Sequence, residues 1–83
     1  MKNIKKIIKE NVSADKIIFQ RNGNIKAKRF YFYTFRNTAE KFADKIRNSL
    51  QECGIEIEIV DKSDNWNAWP KNSWFEVIFR AKN

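Results

Sequence analysis

Apolar positions recur along this chain with two different periods, and the changes of period divide it into helical and extended segments. Ile4, Ile7, Ile8 and Val12 stand three or four apart, with Lys2, Lys5, Lys6 and Lys9 between them. That spacing predicts an amphipathic helix over residues 2–12, isoleucines on one side and lysines over the rest. After a break at Ser13 to Asp15, extended runs from Lys16 to Arg21 and from Asn24 to Phe35 flank Asn22-Gly23. Asn-Gly in that position predicts a hairpin with a type I′ turn, because both residues tolerate the positive φ it requires.

The helical period then returns. Asn37 followed three positions later by Glu40 reads as a capping pair, with Thr38 as the competing cap. Ala39, Phe42, Ala43, Ile46, Leu50 and Cys53 form one apolar stripe of a helix of about 15 residues, and Gly54 suits the left-handed position that ends it. Ile55, Ile57 and Ile59 alternate with Glu56, Glu58 and Val60, the period-two signature of a half-buried strand. Polar residues from Asp61 to Asn72 read as a long loop, leading to a last strand over Ser73 to Arg80. The order helix, hairpin, helix, hairpin predicts one α+β domain spanning residues 1–83. Its architecture is a two-layer αββαββ sandwich, a four-stranded mainly antiparallel sheet with two helices on one face and the other face open.

What the open face carries depends on side-chain parity. In the second strand Phe30 and Phe32 lie on one side, and Arg29, Tyr31, Tyr33 and Phe35 on the other. If the phenylalanines face the helices, the open face gathers Arg29, Tyr31 and Tyr33. Trp74 and Arg80 join them if Phe75, Val77 and Phe79 are the core set of the last strand. Ile25 and Ala27 share the tyrosine parity, so a bulge near Ala27 to Lys28 would reverse the inside and outside sets.

Charge sharpens that picture. The first 36 residues hold ten lysines and arginines against two acids, whereas residues 37–83 hold seven against eight, so the net charge of +7 belongs to one half. Clustered cations raise the local potential and release counterions from a phosphate backbone, which points to a polyanionic partner. Arg21, Lys26, Lys28, Arg29 and Arg36 flank the first hairpin as candidate phosphate contacts, and the lysine face of the first helix extends them. Tyr31, Tyr33 and Trp74, interleaved with Arg29 and Arg80, are candidate stacking platforms for the bases of a single strand. The competing readings are a solvated charge run and a homodimer sealed through the tyrosine face. A membrane-surface helix ranks below these, since the first helix has no aromatic anchor.

The segment Asp64 to Trp74 spends Trp66 and Trp69 on a loop, either as a lid over the end of the core or as anchors for a protein groove. Its pattern, Trp66-x-Ala68-Trp69-Pro70-Lys71-x-Ser73-Trp74-Phe75, together with Asn22-Gly23, the aromatic run Phe30 to Phe35 and Thr38-Ala39-Glu40-Lys41, resembles small phage or prophage proteins of unassigned function. The resemblance implies a phage-encoded accessory factor, of the kind that interferes with a host nucleoprotein such as a CRISPR effector. In that setting Trp66 and Trp69 would anchor a protein-protein inhibitor or adaptor. The positive charge argues against mimicry of nucleic acid.

Several chemistries are disfavoured outright. The chain has no histidine, one cysteine, and neither a Gly-rich phosphate loop nor a G-x-S-x-G motif. Triad hydrolysis, zinc sites, P-loop chemistry and an internal disulfide are therefore set aside, and no cofactor is expected. Glu56, Glu58, Asp61 and Glu76 leave a carboxylate magnesium site conceivable, but pairing with arginines across strands explains them more simply. A histidine-free ribonuclease built from Lys28, Arg29, Tyr31 and Arg80 is the remaining enzymatic alternative. Hydrophobic content of 42% is ordinary for a folded domain, and no membrane span or signal segment is read, so a non-catalytic cytoplasmic protein is expected.

Overall fold

The sheet is built from two hairpins laid side by side, with the second strand of each at the centre. A computed structural model of the chain describes residues 3–30, 39–65 and 73–82. Its elements are α1 (Ile4–Asn11), β1 (Lys16–Phe19), β2 (Ile25–Phe30), α2 (Ala39–Glu52), β3 (Ile57–Asn65) and β4 (Trp74–Ala81). The strands form one four-stranded sheet in the order β1-β2-β4-β3, and every pairing is antiparallel. The α+β class expected from the hydrophobic periods is therefore the class observed. No helix among the described residues is long and apolar enough to cross a membrane.

Local chemistry explains where these elements begin and end. Asn3 caps α1, its Oδ1 accepting the Lys6 amide at 3.2 Å. At the other helix, the Ile55 amide donates to the Leu50 carbonyl and the Gly54 amide to that of Gln51, with Gly54 at φ 78°. These two bonds define a Schellman end, and the buried side chains of Leu50 and Ile55 supply its hydrophobic contact.

The first hairpin departs from the expected type I′ turn. Only Gly23 has positive φ there, at 91°, while Asn22 does not. The Gly23 amide donates to the Gln20 carbonyl, and the Gln20 amide to the Asn24 carbonyl. The loop is thus three residues, Arg21 to Gly23, a type I turn closed by a left-handed glycine. Asn22 contributes through its side chain instead, accepting the Asn24 amide at 3.0 Å.

The second hairpin also differs from expectation. β3 continues through the polar residues to Asn65, so Asp61 to Asn65 are strand and not loop. Between Ile59 and Asp61 the register slips by one, leaving Val60 as a bulge. Before it Ile57 and Ile59 oppose Ala81 and Phe79, and after it Lys62 and Asp64 oppose Val77 and Phe75. The bulge thereby turns Asp64 toward the helix side, where its Oδ1 accepts the Ala39 amide, the first of α2, at 2.9 Å. The capping residues expected for this helix, Asn37 and Thr38, lie outside the described residues.

Ile8 and Val12 of α1, Phe42, Ala43, Ile46 and Leu50 of α2, and one parity of the strands form a single buried cluster. The strand contribution is Ile25 and Ala27 from β2, Ile57 from β3, and Phe75, Val77 and Phe79 from β4. Since paired strand residues share a face, all of these point to the same side of the sheet. At its centre the Phe42 and Phe75 rings meet edge to face, 5.1 Å apart.

Candidate functional site

β4 follows the expected parity, with Phe75, Val77 and Phe79 buried and Trp74, Glu76, Ile78 and Arg80 on the other face. β2 does not follow the arrangement that would expose Arg29. Its register against β4 runs without a slip from Ile25↔Phe79 to Phe30↔Trp74, so the reversed parity arises with no bulge between Ala27 and Arg29. Ile25, Ala27 and Arg29 therefore lie on the helix side, and Lys26, Lys28 and Phe30 lie on the open face. This is a correction for Arg29, which shares a recess with Phe42 and Phe75 and takes no part in the exposed cluster. Ile25 and Ala27 are buried, and Arg29 follows their parity. Tyr31, Tyr33, Arg36, Trp66 and Trp69 lie outside the described residues.

The open face groups the remaining candidates in rows set by strand pairing. One row is Lys16, Lys28, Glu76 and Ser63, and its neighbour is Ile18, Lys26, Ile78 and Asp61. Phe30 and Trp74 form a third pair. Glu76 stands at the middle of this network. One carboxylate oxygen accepts the Trp74 indole N–H at 2.9 Å and the other meets the Lys26 ammonium at 3.1 Å. Partial burial pushes the Glu76 carboxyl up, but hydrogen bonds from Trp74 and Lys26, with the charges of Lys26 and Lys28, outweigh it and hold the group below the usual glutamate value.

The Lys28 ammonium sits over the Trp74 ring, 4.2 Å from its centroid, and 5.4 Å from that of Phe30. These are cation–π contacts, and they orient a cation and two half-buried rings toward the same solvent. Lys16, one strand further out, is exposed and has no ion-pair partner among the described residues. No local sequence signal marks it, because only the hairpin register brings residue 16 opposite residue 28. At the far end Arg80 is held by Asn24, whose Oδ1 accepts its Nε–H at 3.0 Å, and Arg21 occupies the adjoining hairpin loop.

Sign changes across the face. β1 and β2 contribute Lys16, Lys26 and Lys28, whereas β3 contributes Glu58 opposite Arg80 and Asp61 opposite Ile78. Cations therefore gather along β1 and β2, and acids along the β3 edge. The α1 lysines do not extend this patch. Lys5 and Lys9 lie over the Phe19 ring at 5.5 and 5.7 Å, and Phe19 pairs with core Ile25 on the helix side.

Among the described residues no three carboxylate, thiol or imidazole groups converge as a metal site would need. Cys53 is a half-buried free thiol at the end of α2. No family model matches the chain, and no curated protein or solved structure is similar to it.

Proposed function

We propose that this protein is a non-catalytic binder of single-stranded nucleic acid, which lies along β1, β2 and β4 of the open sheet face. Lys16, Lys26, Lys28 and Arg80 contact phosphates, and Trp74 and Phe30 stack bases. The observation that carries this reading is the Lys28 ammonium over the Trp74 ring and within cation–π reach of Phe30, on the same face as Lys26 and with Lys28 paired opposite Lys16. Rings and cations presented together on a sheet suit a flexible strand, whose bases offer π-faces and whose backbone offers charge. A duplex hides its base faces and would engage only the cations.

The test is fluorescence anisotropy with labelled single-stranded 12-mers of DNA and RNA and with the matching duplexes. Single strands should bind more tightly than duplexes, and Trp74→Ala should weaken them by about 5- to 150-fold, the equivalent of losing one stacked base. Lys16→Glu with Lys28→Glu should abolish binding. Binding that survives this reversal, or no retention of any strand at low salt, rejects the proposal.

A further inference from the structure

We infer a second binding site, for a phosphate-bearing small molecule of mononucleotide size, in the groove between the two helices on the opposite side of the sheet. The groove has a volume of about 420 Å³, within the range of small-molecule sites. Arg29 of β2 and Lys45 of α2 line it, joined by Ser13, Asn48 and Ser49, and no acid lines it among the described residues. Neither Arg29 nor Lys45 has an ion-pair partner among the described residues. Asp15, next to Arg29 across the hairpin, is instead committed to the Phe30 amide through its Oδ2, at 2.8 Å.

Two cations with hydroxyl and amide groups around one concavity select a compact, multiply charged anion, and the planar guanidinium matches phosphate oxygens two at a time. The floor is different in kind. Val12, Phe42 and Ile46 supply an apolar base beneath the charged rim, which suits a flat ring attached to that anion. The site is therefore built for an anionic head and a planar body together. It shares no side chain with the open-face cluster.

The experiment is amide NMR titration with adenosine monophosphate, adenosine and inorganic phosphate in parallel. Adenosine monophosphate should shift the amides of Arg29, Lys45 and Ser49, inorganic phosphate should shift fewer of them at higher concentration, and adenosine should leave them in place. Arg29→Gln with Lys45→Gln should weaken the nucleotide at least tenfold. The exposed single change Lys45→Glu should do the same and guards against a folding defect in the double variant. Lys28→Gln with Trp74→Ala should leave this titration unaltered, which separates the two sites. Adenosine binding as well as its monophosphate, nucleotide shifts confined to the open face, or unchanged affinity in both charge variants would each overturn the inference.

Discussion

At the residue scale, Glu76 decides how the exposed face is organised. It is an acid amid cations, and its two oxygens fix Lys26 and Trp74 at once. Because its folded-state pKa is depressed, its contribution to stability is complete above the ordinary glutamate value of about 4.3 and disappears as the pH falls through the lower folded value. Glu76→Gln keeps an acceptor for the indole but loses the charge facing Lys26. Urea denaturation should show the variant about 1 kcal/mol less stable at pH 7, with the gap closing as the pH falls through the carboxyl's depressed folded value. A gap that stays constant with pH would mean that the charge is irrelevant and only packing was disturbed.

At the scale of elements, the chain's ends and turns are controlled by few positions. Gly54→Ala forces a left-handed backbone on a residue with a Cβ, and Asp64→Ala removes the acceptor of the first α2 amide. Each should cost about 1 kcal/mol in thermal or chemical denaturation. The first of these sites was legible from sequence, since a glycine just beyond an apolar stripe has one economical use. The second was not: Asp64 stands in a polar run with no apolar alternation, and nothing local marks it as strand. That run is ordered by pairing with β4, whose apolar alternate residues bury themselves and impose a register on a partner with little preference of its own. The same cause hid the Val60 bulge. The turn type is hidden in the sequence for a related reason. Asn22-Gly23 is compatible with both two- and three-residue loops, and the pairing of Gln20 with Asn24 selects the longer one. Parity in β2 was readable from Ile25 and Ala27 and contradicted by the aromatic alternation after Arg29; the buried pair prevails, because the strand has no slip.

At the scale of the whole molecule, the charge imbalance legible along the sequence resolves into separate surfaces. The lysines of α1 and those of β1 and β2 occupy opposite sides of the sheet, so they cannot all serve one ligand. Salt dependence distinguishes the surfaces. If four open-face cations contact a single strand, log affinity should fall with log salt at a slope of about −2 to −3. Lys16→Gln should make that slope shallower by nearly one, whereas Lys6→Gln should not alter it; the reverse result would move the interface to α1. The pleat of β2 sets a further condition on how this protein can change over generations. Lys28 and Arg29 are consecutive, yet they serve opposite sides of the molecule. A lineage is free to exchange one cation for another at either position, but a single codon gained or lost between Ile25 and Arg29 would interchange the tenants of both surfaces, leaving one without ammonium groups and driving lysines under the helices. Length in this stretch should therefore be held more strictly than residue identity.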